Sequence, residues 1–157
     1  MRRVTTGYDP NRQSTIVSDE PIEATQDPSR PGFAMHHVWG ADQTLSYPED
    51  GSVPAAVEQF PSAGGVRVTI VTFPSGHGTS REPGGLGMHA TDTTDVTLVL
   101  AGKAMLEMGD GSVVEVNTGD TVVQHGTLHE WRNPYDEPCV LAVTLVGAKR
   151  NQDHHTP

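Results

Sequence analysis

Short runs of β-prone residues recur along this chain and are separated by turns rich in glycine, proline, asparagine or aspartate. The clearest run is Val66–Phe73, in which β-branched residues fill most positions. The run from Cys139 to Val146 is apolar on both faces, which is typical of a strand buried between two layers. The other predicted strands are Phe33–Trp39, Asp95–Leu100, Ala104–Met108, Val113–Val116, Thr121–Gln124 and Leu128–Arg132. Regular short strands with turns between them predict an all-β, double-sheet jelly-roll barrel.

The N-terminal residues have a β pattern of their own. Arg3–Tyr8 and Ser14–Ser18 flank the turn sequence Asp-Pro-Asn-Arg, which predicts a β-hairpin extension outside the barrel. An isolated hairpin is marginal in water, so this one is expected to pack on another surface. We therefore divide the chain into a hairpin with its connecting loop (1–32), a single barrel (33–148) and a flexible polar tail (149–157).

Composition and charge exclude several classes of partner. The chain has 157 residues, which suits one domain, and its 17 glycines and 12 prolines favour a turn-rich fold. The formal net charge of -10 would repel phosphate backbones and anionic lipid, so we expect no nucleic-acid or membrane partner. No positively charged start leads into an apolar run, and the lone Cys139 cannot form an internal disulfide. A cytoplasmic protein is the expectation.

Two groups of polar residues mark the ends of the central stretch. The first contains His89, Thr91 and Asp95, and the second contains His125 and His129. If the first group is extended, His89, Thr91 and Asp95 share one face, because alternate residues of a strand point the same way. A hairpin partner would then bring His129 beside them.

The two groups resemble the two signature motifs of the cupin family, which are Gly-x5-His-x-His-x(3,4)-Glu-x6-Gly and Gly-x5-Pro-x-Gly-x2-His-x3-Asn. His89 takes the first histidine position, Asp95 the glutamate position and Gly102 the closing glycine. The positions that match the second motif are Gly119, Gly126, His129 and Asn133. The resemblance implies a cupin barrel (a double-stranded β-helix) and, since small cupins commonly pair, a homodimer.

The resemblance also implies a metal site. His89, Asp95 and His129 would supply two imidazoles and one carboxylate, a set that suits iron, zinc, manganese or nickel. Thr91 stands where the family has a second histidine, and His125 stands where it has a proline. The alternative is that both histidines are buried, hydrogen-bonded side chains in a barrel without a metal.

Other side chains near the motifs are candidates for supporting roles. Gln124 or His125 could move a proton, although adjacent strand residues alternate in direction and only one of the two should face the cavity. Thr91 and Trp131 are expected to line the pocket, with a core tryptophan as the alternative for Trp131. His77 is interpreted as a solvated loop histidine, and a substrate contact is the less favoured alternative.

These features lead to three hypotheses for function. The first is a metal-dependent enzyme of secondary metabolism that acts on a small carbonyl- or hydroxyl-bearing substrate, including polyketide or aromatic compounds, by dehydration, cyclisation or isomerisation. The second is a non-haem iron dioxygenase that uses the same ligands. The third is a barrel that binds a small ligand without catalysis.

Overall fold

The computed structural model describes residues 1–47, 51, 58–78 and 87–151, and within them the backbone forms strands and turns without a helix. The strands are β1 (Arg2–Tyr8), β2 (Ser14–Pro21), β3 (Thr25–Gln26), β4 (Ala34–Ala41), β5 (Val66–Phe73), β6 (Thr93–Ala101), β7 (Lys103–Met108), β8 (Val113–Asn117), β9 (Thr121–His125), β10 (His129–Arg132) and β11 (Cys139–Gly147). The all-β prediction is therefore confirmed. Among these residues no helix is long and apolar enough to cross a membrane.

The strands form three antiparallel sheets. Among the described residues, β1 and β2 pair only with each other, β10-β7-β8 form a three-stranded sheet, and β3-β4-β5-β11-β6-β9 form a six-stranded sheet. The core consists of buried apolar side chains from both larger sheets and from the segment before β4. Its members are Phe33, Phe73, Val99, Ala104, Val116, Cys139 and Leu141. The two larger sheets therefore enclose a common core, as the jelly-roll prediction requires.

In β6, polar side chains face the interior of the barrel and apolar side chains face outward. Thr93, Asp95 and Thr97 are buried, whereas Val96 and Leu98 on the other face are 43% and 39% exposed. Since alternate residues of a strand share a face, polar side chains of β6 point into the barrel. This inversion gives the interior its polar character around Asp95.

The turn between β6 and β7 depends on glycine. Gly102 has a φ of 71°, and a side chain there would collide with the carbonyl oxygen of Pro138. Only glycine fits a left-handed conformation at such close approach. The closing glycine of the first motif therefore has a structural role.

The structure differs from the sequence-based predictions mainly at the edges. β3 pairs Thr25 with Met35 of β4, within a segment for which the sequence predicts only a loop. A two-residue edge strand has no periodic pattern of its own, because its pairing partner alone defines it. In the C-terminal tail, residues 152–157 lie outside the described part of the chain.

Candidate functional site

A cavity of about 850 Å³ lies inside the barrel and is lined by residues of both larger sheets. Its two ends differ in chemistry. We call the end that carries His89, Asp95 and His129 the polar end. We call the end that carries Phe33, Phe73 and His77 the aromatic end. A volume in this range is typical of sites for small organic molecules.

His89 and His129 lie directly opposite each other at the polar end. Each backbone N–H donates to the other residue's carbonyl at 2.9 Å, which makes the two residues an antiparallel hydrogen-bonded pair. Directly opposed residues place their side chains on the same face, and the two ring centroids are 4.5 Å apart. The backbone pairing thus brings the histidines of the two motifs together.

The hydrogen bonds of both rings fix the same tautomer. The Nδ1 of His89 lies 2.8 Å from the carbonyl oxygen of Gly87, and the Nδ1 of His129 lies 2.9 Å from that of Thr127. A carbonyl oxygen only accepts, so each Nδ1 carries the proton and each Nε2 keeps a free lone pair. This is the arrangement in which protein histidines bind metal ions through Nε2.

Gln124 supports the His129 ring from the neighbouring strand. Its side-chain amide lies 2.5 Å from His129 Nδ1, and the residue is 5% exposed. The amide atom nearest Nδ1 is the nitrogen Nε2, and because Nδ1 already donates to Thr127, two donors would meet unless the amide is turned so that its oxygen accepts from the same N–H. Burial lowers the pKa of His129, against an opposing contribution from the Thr127 carbonyl, so the ring is neutral near pH 7.

Asp95 provides the carboxylate at this end. It lies on β6 opposite Gln124 and is 8% exposed. Burial raises its pKa, although a hydrogen bond from Thr93 and the nearby His129 and His89 rings act in the opposite direction. Its Oδ1 is buried and has no hydrogen-bond partner among the described residues. A buried carboxylate oxygen without a donor is unfavourable unless a cation or proton satisfies it.

The donors therefore fit a divalent ion in chemical type. Two Nε2 lone pairs and one unsatisfied carboxylate oxygen face the same end of the cavity. In the part of the chain described here, however, no three His, Cys, Asp or Glu side chains converge closely enough to hold an ion as they stand. Binding an ion at this end thus requires the three side chains to move closer together.

The remaining predicted site residues occupy different surroundings. Trp131 lines the cavity and also packs against the core, so both interpretations of it apply. Thr91 is absent from the cavity wall, and its hydroxyl pairs with that of Thr93 at 2.7 Å. His125 is exposed at the end of β9, whereas its neighbour Gln124 is buried beside His129. Of the two adjacent candidates, only Gln124 faces the interior.

Two glutamates that border the cavity carry no signal in the sequence. Glu107 of β7 and Glu130 of β10 lie directly opposite each other, and Arg132 forms an ion pair with each of them. The pairing becomes visible only when the register of the two strands is known. Without that register, these residues resemble ordinary surface charges.

His77 at the aromatic end is not the solvated loop residue that the sequence suggests. Its ring lies 4.6 Å from the Phe73 ring and 5.8 Å from the Phe33 ring, at interplanar angles of 23° and 24°. The backbone of Asn133 donates to the His77 carbonyl at 2.8 Å, which ties this segment to the end of β10. A glycine-rich segment gave no indication of this packing, because the contacts are distant in sequence.

Comparison with known proteins gives the same fold. Residues 70–146 match the family model described as a cupin domain. No curated protein matches the sequence. Among solved structures, one described as DMSP lyases RdDddP and RnDddQII superposes with a TM-score of 0.53 at 14% identity, covering 81% of this chain and 57% of that chain.

Two other similar structures are less close in shape. A putative ethanolamine utilization protein Q from Salmonella typhimurium LT2 has a TM-score of 0.48 at 12% identity and covers 95% of this chain and 98% of its own. A cupin 2 conserved barrel domain protein from Salinispora arenicola CNS-205 has a TM-score of 0.44 at 20% identity, with coverage of 60% and 72%. At these identities the likeness concerns the fold alone.

Proposed function

Since this chain belongs to the cupin superfamily, we propose that it is a metal-dependent enzyme that acts on a small organic substrate inside its barrel. The observation that carries the proposal is the unpartnered Oδ1 of Asp95 beside two histidines whose Nδ1 atoms are both tied to backbone carbonyls. His89, Asp95 and His129 would hold the ion. A bound divalent ion supplies Lewis-acid chemistry that polarises a carbonyl or hydroxyl oxygen of the substrate.

The chain's own residues would carry out the other tasks. Gln124 and the Thr127 carbonyl hold the His129 ring in one orientation, so its Nε2 keeps a fixed position. Glu107 and Glu130 alternate along their strands with Leu106 and His129, which face the interior, so their carboxylates point to the outer face and pair with Arg132 there. The reactions we propose are dehydration, cyclisation or isomerisation, each of which moves protons without an external oxidant.

Elemental analysis of the purified, tag-free protein tests the proposal. We expect near-stoichiometric divalent metal in the wild type and almost none in His89→Ala or His129→Ala. His125→Ala, which changes an exposed histidine outside the cavity, is the matched control and should retain the metal. Absence of metal from the wild type, even after reconstitution, would contradict the proposal.

The identity of the metal and the ligand affinity of Asp95→Ala distinguish two alternative functions. Iron as the bound metal, together with oxygen consumption, would support the dioxygenase hypothesis. The lack of three converging donors among the described residues favours a barrel that binds its ligand without a metal. In that case Asp95→Ala would leave ligand affinity intact, whereas a metal-dependent enzyme would lose turnover.

We also propose that the chain forms a homodimer through the outer face of the six-stranded sheet. That face exposes Leu98, Leu100 and Val123, and the hairpin exposes Ile16, which is 62% accessible. The β1–β2 hairpin pairs with no other strand in the described part of the chain, so both apolar surfaces would be covered if two copies associate. Light scattering should give a dimer for the wild type and a monomer for Leu98→Lys. A monomeric wild type would contradict this proposal.

A cytoplasmic location is a further proposal that rests on the cysteine. Cys139 is the single cysteine of the chain, and burial raises the pKa of its thiol to about 11. Such a thiol stays protonated and unreactive, as suits a reducing compartment. Fractionation of the native host, followed by immunodetection, should find the protein with cytoplasmic markers.

A further inference from the structure

The aromatic end of the cavity is a defined surface of three rings. Phe33 and Phe73 are tilted at 42° with centroids 5.9 Å apart, and the His77 ring lies nearly parallel to both. Phe33 and Phe73 are 8% and 9% exposed, whereas His77 is only half-buried and borders the cavity. His77 is therefore the member of this group that offers the most surface to a bound molecule.

Asn133 holds His77 in place. The Asn133 side chain is fully buried, and its amide donates to the carbonyl oxygens of Phe73 and Pro74. Its backbone N–H donates to the His77 carbonyl, and the His77 N–H donates to Pro74. The backbone is thus anchored at Pro74 and at His77, and the His77 ring packs against Phe73 before any ligand binds. Preorganisation of this kind lowers the entropy cost of binding.

The His77 ring is neutral near pH 7. Burial lowers its pKa, and the charge of Arg30 contributes in the same direction. Arg30 lies over the Phe33 ring at 4.4 Å and pairs with Asp27, so it is already partnered. A neutral imidazole can stack on a flat ring and can also donate to or accept from a ring substituent.

Apolar side chains connect the two ends of the cavity. Met35, Val71, Leu141 and Val143 line the cavity together with Trp131. A molecule that occupies the whole cavity would thus meet polar groups at one end, apolar walls in the middle and flat rings at the other end. The cavity therefore suits an elongated ligand with a polar group at one end and a flat ring at the other.

We propose that His77, backed by Phe73, binds a flat aromatic or conjugated ring of the substrate while the oxygen-bearing head of that molecule reaches the polar end. This inference rests on the proposed function only for the head group, since the ring contacts do not involve the metal. His77 is then a residue that determines specificity, and saturated substrates of equal size bind less well.

Two probes with one head group test the inference. Benzohydroxamate and cyclohexanecarbohydroxamate share the same chelating head and have nearly the same size, but only the first has a flat aromatic ring. Their affinities are measured by calorimetry on the full chain, both metal-free and loaded with zinc. We expect benzohydroxamate to bind about three- to tenfold more tightly than cyclohexanecarbohydroxamate, because only a flat ring can stack on the His77 ring. Its ring should also shift the imidazole C–H resonances of His77 in the NMR spectrum.

Two substitutions of similar volume identify the contact. His77→Leu removes the flat ring but fills the space, and His77→Phe keeps a ring without nitrogens. We expect the preference for benzohydroxamate to fall about three- to tenfold in His77→Leu and to be kept in His77→Phe. Equal affinity for the two probes in the wild type, or an unchanged preference in His77→Leu, overturns the inference.

The zinc-free and zinc-loaded arms separate this inference from the proposed function. If zinc does not increase the affinity of either probe while the preference for the aromatic ring persists, the proposed metal site is contradicted and the aromatic contact is supported. If zinc increases the affinity of both probes equally and neither probe is preferred, the proposed metal site is supported and the aromatic contact is contradicted. Lack of binding in both arms counts as absence of ring preference and overturns the inference.

Discussion

The two ends of the cavity differ in how well their groups are satisfied. At the aromatic end, Phe33 and Phe73 belong to the hydrophobic core, so side chains that line the cavity also stabilise the barrel. At the polar end, Asp95 is buried with one oxygen unpartnered among the described residues. Groups that reduce stability without a ligand are characteristic of functional positions. The comparison indicates that side chains stabilise the barrel at the aromatic end, whereas the polar end contains a buried polar atom that the described residues leave unsatisfied.

Only the substitution at the aromatic end should lower the free energy of unfolding, and this is the largest expected effect. Phe73→Ala should lower the free energy of unfolding by about 3–5 kcal/mol, because it leaves a cavity in the core. Asp95→Asn should leave it unchanged or raise it near pH 7, because it removes a buried charge. Urea unfolding of the metal-free protein measures both values. A loss of stability in Asp95→Asn similar to that of Phe73→Ala would contradict the comparison.

A smaller effect is expected from replacing Gln124, the residue that orients the His129 ring at the polar end. Gln124→Met keeps the volume of the side chain but removes the group that contacts His129 Nδ1. Residues that orient a metal-binding histidine typically contribute about 10- to 100-fold to metal affinity. We expect a loss of this size in zinc affinity, measured by competition with a chromogenic chelator. His125→Ala on the same strand is the control, and a loss as large in that variant would argue against orientation by Gln124.

The smallest expected effect is a pH dependence at the aromatic end. The pKa of His77 is lowered in the folded protein, so below about pH 6.5 the unfolded chain takes up a proton that the folded protein does not. The free energy of unfolding therefore decreases as the pH falls below about 6.5. For one titrating group the decrease is at most about 1.4 kcal/mol per pH unit. His77→Phe keeps the ring contacts and should lose this part of the pH dependence.

Unfolding curves of the wild type and His77→Phe at several pH values between about 4 and 8 measure the difference. Contributions from other titrating groups, including His129 at the polar end, occur in both proteins and cancel. Identical pH dependence in the two proteins would show that the His77 ring is not held neutral by its surroundings.

The sequence predicted most of the strands because local composition decides them. Val66–Phe73 has the same bounds in the structure, and the run from Cys139 becomes the central strand β11 between β5 and β6. The short strand β3 was not predicted, since its partner β4 alone defines it. Strand patterns are local, whereas pairing is a property of the assembled sheet.

The residues of the candidate site were likewise predictable from the sequence only in part. The spacing of two histidines and a carboxylate in the chain identified the residues of the polar end as candidates, and the structure brings His89 and His129 into direct backbone pairing. No spacing pointed to the cross-strand pair Glu107 and Glu130, or to the stacking of His77 on Phe73. Those contacts join residues whose proximity depends on strand register and on how the turns pack.

The sequence by itself determined the all-β class and most strand positions, because each depends on residue identity over short distances, and its resemblance to the cupin motifs singled out His89, Asp95 and His129 as candidate ligands. Tertiary structure decided which faces point inward, including the polar inner face of β6. It also decided that His77 is held by Asn133 against Phe73, through hydrogen bonds and ring contacts between distant segments. Contacts of this kind form only when the whole barrel closes, and a linear pattern does not encode them separately.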